Sequence, residues 1–394
     1  MRAHRPAPPE GNPMNTATIA STRRSNQTGV RCVIMRGGTS KGVFFHEADL
    51  PADPGERERV LMAAMGTPDP RQIDGLGGAD NLTSKIVIIA KSKRPDADLD
   101  YTFGQVGIDL PYVSYSANCG NLSAAVGVFG IEEGLIDAVA PTTRVRIYNT
   151  NTKQVLVSYI PIDGMGLPAV EGDFSIDGVP GSSAEIRLDF SATRGASTGK
   201  MLPSGNVVDE LYVPELGRSI MVSFVDVAKA TMYFHARDVG ITGTESPEEF
   251  TPDILNRFWA IRNAGAAYVG LSPESRLPHP VSVIAPTDFI NFMTKEKVAK
   301  ESVSFVARRV GGPPPRLHKA FAATGAVCTA VAAVLPGTIV NQVAQQFDDG
   351  IVRIGHPTGM FPVRIAVGAD GEILEASYSR SARRVMEGTV WVRK

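Results

Sequence analysis

Ser116-Ala117-Asn118-Cys119-Gly120-Asn121-Leu122-Ser123-Ala124-Ala125-Val126-Gly127, continued by Val128-Phe129-Gly130-Ile131, is the stretch on which the reading of the fold turns. From Leu122 onward it is apolar or small on nearly every face. A helix of that kind is buried on all sides, so other elements must wrap around it. His318-Lys319-Ala320-Phe321-Ala322-Ala323-Thr324-Gly325-Ala326-Val327-Cys328, running on to Leu335 and closed by Pro336-Gly337, is a second stretch of the same type. Short strands surround each one: 31–35, 43–45, 86–90, 99–106, 111–115, 143–148 and 154–161, then 210–213, 218–226, 231–235, 351–354 and 361–367. Further helices are expected over 56–65, 252–265 and 292–309. The pattern predicts a weak internal duplication, with each half wrapping strands around one buried helix.

The whole chain agrees with this outline. Its 394 residues exceed one ordinary core, and two domains are the default. The composition is 43% hydrophobic and 21% charged with net charge −1, which gives no basis for a nucleic-acid surface or a polybasic membrane face. No apolar run is long enough to span a bilayer. Cys32, Cys119 and Cys328 are too scattered for a disulfide framework, and the six histidines show no metal spacing. Neither a metal nor a cofactor is expected. Residues 1–29 are rich in Pro, Ser, Thr, Asn and Arg, and read as a disordered leader without the apolar segment of a secretory signal. A cytoplasmic location is the expectation.

Five local patterns carry possible chemistry. Cys119 stands at a helix entrance, where free backbone N–H groups favour a thiolate or a bound carboxylate. The alternative there is a small buried core residue. Arg36-Gly37-Gly38-Thr39-Ser40-Lys41-Gly42 is a glycine-rich turn that lets amides approach a ligand, though it is not a nucleotide P-loop. Lys85 lies at the mouth of the strand Ile86-Val87-Ile88-Ile89, after the loop Gly75-Leu76-Gly77-Gly78. Partial burial would make it available as a base, whereas exposure would make it an ordinary strand-end lysine. Finally, His356-Pro357-Thr358-Gly359 and Tyr378-Ser379-Arg380-Ser381-Ala382-Arg383 offer an imidazole and two guanidinium groups. Each serves either a turn or surface role or the pairing of a carboxylate.

Taken in order, seven runs resemble one family. They are Met35-Arg36-Gly37-Gly38-Thr39-Ser40-Lys41-Gly42-Val43-Phe44-Phe45, Gln72-Ile73-Asp74-Gly75-Leu76-Gly77-Gly78, Thr83-Ser84-Lys85, Asn118-Cys119-Gly120-Asn121, Pro203-Ser204-Gly205-Asn206, Gly355-His356-Pro357-Thr358-Gly359 and Ser379-Arg380-Ser381-Ala382-Arg383. The family is that of the 2-methylaconitate cis-trans isomerases and their relatives, 4-oxalomesaconate tautomerase, methylitaconate Δ-isomerase and aconitate Δ-isomerase. The resemblance covers residues 31–394.

It implies an α+β fold of the diaminopimelate-epimerase type. Two pseudo-symmetric domains, each a strongly curved sheet around a central helix, would meet at a cleft. Residues 30–196 would form the first and 197–377 the second, with 378–394 returning to the first. It also implies a cofactor-independent proton shift on an unsaturated di- or tricarboxylate. Lys85 would be the principal acid/base and Cys119 the second proton carrier or anion donor. Thr39, Ser40, Ser84 and Asn121 are implied as carboxylate or backbone-side donors, and Arg36, His356, Thr358 and Arg380 as further substrate contacts. The expected partner is the small acid alone, with no nucleic acid or membrane; a homo-oligomer is compatible. 2-Methylaconitate is the first substrate expectation and 4-oxalomesaconate the alternative, against a non-catalytic carboxylate binder. The chain departs from the family at Val225-Asp226-Val227-Ala228-Lys229, where many members carry Asn-Ala-Gly-x-Pro and Lys229 adds a cation.

Overall fold

Helix ends separate two kinds of helix in the computed structural model, which describes residues 23, 24 and 26–393 except 116, 117, 177, 273 and 347. α1 (Pro54–Met65) begins at Asp53, whose side chain accepts from Glu56 N, and stops at the left-handed Gly66. α2 (Gly120–Glu132) has Cys119 at its N-cap and no side-chain cap. α3 (Pro252–Tyr268) is capped by Thr251, which accepts from Ile254 N. α4 (Ala323–Val334) has Ala322 at its N-cap and, again, no side-chain cap. Both α1 and α3 carry a proline in the first turn and pack on the sheet face away from α2 and α4. The two uncapped ones are the all-apolar stretches, and nearly every residue from Leu122 to Ile131 and from Gly325 to Ala333 is buried. Their first N–H groups are left for something other than a capping side chain.

Strand pairing shows the duplication directly. In the first half Gln27–Gly37 and Ser40–His46 form a hairpin. Lys85–Lys91 then pairs parallel to the hairpin, Leu99–Val106 antiparallel, Thr142–Asn149 parallel, and Gln154–Pro161 and Ile186–Asp189 antiparallel. In the second half Arg218–Val227 and Lys229–His235 form the hairpin. His279–Ile284 follows parallel, Phe305–Gly311 antiparallel, Ile351–His356 parallel, and Gly359–Val367 and Ile373–Arg380 antiparallel. α1 and α3 occupy the same crossover in the two halves, as do α2 and α4.

The two copies join through their last strands. Ile186–Asp189 pairs antiparallel with Ile373–Arg380, so Leu188 faces Tyr378. The chain then returns, and Ala382–Arg393 pairs with Gln27–Gly37 along its whole length. One hydrophobic core contains residues of both α2 and α4, including Phe129, Val126, Val327 and Val331. The result is the α+β architecture that the family resemblance implies, here with one continuous 19-stranded sheet whose two halves each fold around one helix.

Two expectations need correction. Residues 292–309 are not a helix: they form the short strand Lys297–Val298, a 3-10 turn at Lys300–Ser302 and the strand Phe305–Gly311. Phe305 to Val310 are all buried, because neighbours cover both faces. A strand covered on both faces loses its period of two and cannot be told from a helix by pattern. Ordered structure also begins earlier than Arg31, since Thr28 and Gly29 already pair with Val392 and Trp391. Residues 1–22 and 25 of the expected leader lie outside the described residues, and Arg23–Arg24 pairs with Gln27 and Thr28. No helix among the described residues is long and apolar enough to cross a membrane.

Candidate active site

Lys85 and Tyr101, whose hydroxyl bonds the Cys119 carbonyl, lie on one face of two paired strands. Lys85 opens its strand opposite Gln105, and Val87 lies opposite Phe103. Alternate residues share a face, so Lys85, Gln105, Phe103 and Tyr101 project together toward α2. Lys85 is buried, with only 7% of its surface exposed. Its Nζ donates to Gln105 Oε1 at 2.7 Å and lies 5.1 Å from the Phe103 ring centroid. Gln105 is held in turn by donating to the Ser84 carbonyl at 2.9 Å. Tyr101 Oη donates to the Cys119 carbonyl at 3.4 Å, and burial raises the Tyr101 phenol well above its usual range. Lys85 Nζ thus has a neutral amide as its partner, and among the described residues no carboxylate forms an ion pair with it.

The entrance to α2 is fixed by neighbours on every side. Asn118 Oδ1 accepts from Asn149 Nδ2 at 3.1 Å and from Ser123 Oγ at 3.3 Å. Asn121 Nδ2 donates to Thr39 Oγ1 at 2.9 Å and reaches Ser40 Oγ at 3.4 Å, while Asn121 Oδ1 accepts from Arg380 Nε at 3.1 Å. Glycine is required in the turn between Thr39 and Arg36. At Gly38, with φ +50°, a Cβ would sit 2.4 Å from Asn121 Oδ1, and at Gly37 one would sit 2.6 Å from the Asn121 carbonyl. The Arg380 guanidinium stacks on Phe361 and Tyr378, at 5.0 and 4.8 Å from the ring centroids, and Tyr378 Oη donates to the Gly120 carbonyl at 3.3 Å. Cys119, Thr39, Ser40, Asn121 and Arg380 therefore form one connected constellation.

The other sequence-derived candidates sit differently. Arg36 Nη1 donates to the carbonyls of Gly38 and Ser381, at 3.1 and 3.0 Å, and so pins the turn. Ser84 Oγ is fully buried and donates to Gln72 Oε1 at 2.7 Å. His356 and Thr358 belong to the second half. His356 Nδ1 is 3.3 Å from both Thr358 N and Thr358 Oγ1, and its ring lies 6.4 Å from that of Phe321. Burial, with Arg308 and His318 nearby, lowers the His356 imidazole to about 3. Sequence reasoning did not single out Gln105, Tyr101, Asn118 or Asn149. Each is an ordinary neutral residue whose role appears only through pairing across strands.

A cavity of about 300 Å³ opens beside this constellation, with Asn118, Thr152, Phe190, Ser197, Lys229 and Thr324 on its wall. It joins the α2 entrance to the first turn of α4. Neither Lys85 nor Cys119 is on that wall, although Asn118 directly precedes Cys119. Among the described residues, no group of three or more His, Cys, Asp and Glu side chains could hold a metal ion.

Comparison with known proteins assigns the family. The PrpF protein family model matches residues 27–393. The chain is 45% identical over 381 residues to the 3-methylitaconate isomerase of Eubacterium barkeri, covering 94% of this chain and 99% of that protein. It is 40% identical over 392 residues to the 2-methyl-aconitate isomerase of Shewanella oneidensis, covering 93% and 98%. The crystal structure of a methylitaconate-delta-isomerase matches with a TM-score of 0.87 at 46% identity, covering 94% of this chain and 97% of that one. The chain belongs to the PrpF family.

Proposed function

We propose that this member of the PrpF family is an isomerase that shifts a proton on a small unsaturated di- or tricarboxylate without a cofactor. The observation that carries the reading is that Lys85, Gln105 and Tyr101 share one strand face and that the Tyr101 hydroxyl bonds the carbonyl of Cys119, the N-cap of the uncapped α2. The names of the similar isomerases support the same chemistry.

In this reading Lys85, as the amine, takes a proton from the carbon next to the double bond. The electron pair of that C–H bond spreads through the allylic system into the adjoining carboxylate. While the pair is delocalised, the former double bond can rotate. Return of a proton to the same carbon gives the cis-trans isomer; delivery to the far end moves the double bond. Cys119 is the second proton carrier, or the donor that holds the anion. Free N–H groups at the α2 entrance stabilise the developing charge. Thr39, Ser40, Asn121 and Arg380 orient a carboxylate there, and Arg36 and Ser84 hold the turn and the strand mouth in place. The cytoplasm is the proposed location, and 2-methylaconitate or a close tricarboxylate the first substrate.

The test is proton exchange in D2O, followed by NMR, with 2-methylaconitate, 3-methylitaconate and 4-oxalomesaconate offered separately and nothing else added. Deuterium incorporation with isomer formation is expected for at least one acid. Binding without exchange for all three would leave a carboxylate-binding protein and overturn the isomerase reading.

A further inference from the structure

The duplication places a second, chemically different version of the Lys85 site in the other half. In the first half Gly37 pairs with Ser40 in the hairpin, and Val43 pairs with Ile86, which aligns Gly42 with Lys85. In the second half Val227 pairs with Lys229, and Thr231 pairs with His279. Counting along both hairpins, Lys229 stands in the place of Ser40 and His279 in the place of Lys85. Val87 faces Phe103 in the first half and Val281 faces Arg309 in the second, so Arg309 stands in the place of Phe103. Ala322 and Thr324 correspond to Cys119 and Asn121 at the uncapped helix end. The proton-handling pair has no counterpart: a lysine over an aromatic ring and a cysteine are replaced by a histidine, an arginine and an alanine.

These second-half groups are basic and lack a carboxylate partner among the described residues; His279 and Arg309 are buried and Lys229 is half-buried. Lys229, His279 and Arg309 share the face that packs toward α4, as alternate and cross-strand residues do. Arg309 is 8% exposed, and its Nε has no hydrogen-bond partner among the described residues. A Cβ at Gly325, in the first turn of α4, would lie 3.6 Å from that Nε. His279 is 7% exposed and both its ring nitrogens lack a partner, as does His318 Nδ1. His318 N donates to the Arg309 carbonyl at 2.9 Å, which ties it to the same spot. Lys229 and Thr324 both reach the cavity wall. Burial lowers the basicity of Lys229, His279, Arg309 and His318, and their charged neighbours on this face, Arg276 included, are mainly further cations. No ion pair with a carboxylate forms at Lys229 or Arg309 among the described residues. A buried charge is costly unless it is paired, so a cluster of this composition is complete only with an anion in it.

We propose that Lys229, Arg309, His279 and the open end of α4 form a carboxylate subsite that binds the acid group of the substrate farthest from the reacting carbon. The inference rests on the isomerase reading above for which molecule supplies the carboxylate. It assigns the two halves distinct tasks: the first moves the proton and the second holds the charge. It also makes Lys229 a determinant of how many carboxylates the preferred substrate carries.

Tricarballylate is a suitable probe, since this saturated tricarboxylate has no double bond to shift and reports binding alone. Titration calorimetry should show it binding to the wild type, with Lys229→Met and Arg309→Met each weakening it by about tenfold or more, as expected for loss of a charge-assisted contact. Arg309→Lys should retain more affinity than Arg309→Met. Thermal melts identify any variant that has failed to fold, and Lys229→Met, on the cavity wall, decides the matter if the Arg309 variants are lost. Wild-type affinity in folded Lys229→Met, or no binding of tricarballylate to the wild type, would overturn the subsite. The two readings fail separately. Binding that depends on Lys229 without deuterium exchange on any unsaturated acid would remove the isomerase and keep the subsite. Exchange with KM and tricarballylate affinity unchanged in Lys229→Met would do the reverse.

Discussion

At the scale of single residues, the decisive feature is the kind of partner each reactive group has. Lys85 Nζ is bonded to a neutral amide and faces an aromatic ring, so no counter-ion competes with substrate for it. Lys85→Ala should lower kcat by about 10²–10⁴-fold, the usual worth of a positioned acid/base, with the melting temperature little changed. Near wild-type turnover in the folded variant would remove Lys85 from the mechanism. The three thiols make a second contrast. Burial raises Cys32 and Cys328 to about 11, and both are enclosed, whereas Cys119 is only partly buried. Brief alkylation followed by mass spectrometry should therefore label Cys119 first. A bound tricarboxylate should slow that labelling. Equal labelling of all three, or no protection, would count against a thiol in the substrate cleft.

At the scale of elements, the far end of α2 is held by an ion cluster that the sequence does not announce. Glu133, the residue after the helix, accepts from Arg31 Nη1 at 2.5 Å and Arg384 Nη2 at 2.8 Å, and lies 2.8 Å from His46 Nε2. Burial by itself would raise the Glu133 carboxyl, but hydrogen bonds from His46, Arg31 and Arg384 outweigh it and hold the group well below the usual carboxylate range. A depressed folded value means stability that is present above the unfolded carboxyl value of about 4.3 and is lost as pH falls toward the folded one. Glu133→Gln should thus cost on the order of 2 kcal/mol near neutral pH, with the difference shrinking below about pH 4. Denaturant melts at pH 7 and pH 3.5 measure both; an equal loss at the two pH values would show that packing and not charge is at stake. Arg31, His46, Glu133 and Arg384 come from four elements as far as 353 positions apart, and only pairing brings them together. The same cause hid the Lys229, His279 and Arg309 cluster. Cys119 was legible because a helix entrance is written in consecutive residues, and 292–309 was misread because a strand covered on both faces has no period to read.

At the scale of the molecule, two all-apolar helices were enough to expect two copies of one unit, but not how the copies are joined. That junction is made by strands distant in sequence. Ile373–Arg380 pairs with Gly359–Val367 in its own half and with Ile186–Asp189 in the other, and Ala382–Arg393 then pairs with the first strand of the chain. Neither half can lose its last strand without exposing the ladder of the other, and the core itself runs through both central helices. The halves should therefore unfold together despite a length at which separate transitions are common. The chain's two tryptophans can report this. Trp259 lies in α3 of the second half, while Trp391 lies in the returning strand opposite Gly29 of the first. Fluorescence melts in urea of Trp259→Phe, which leaves Trp391, and Trp391→Phe, which leaves Trp259, follow the two halves one at a time. Far-ultraviolet circular dichroism on each variant corrects for any shift the substitution itself causes. Once corrected, the two midpoints should coincide. A first transition seen by one tryptophan and not by the other would mean that the shared strands do not couple the halves. The cleft between them would then be able to open by unfolding one side alone.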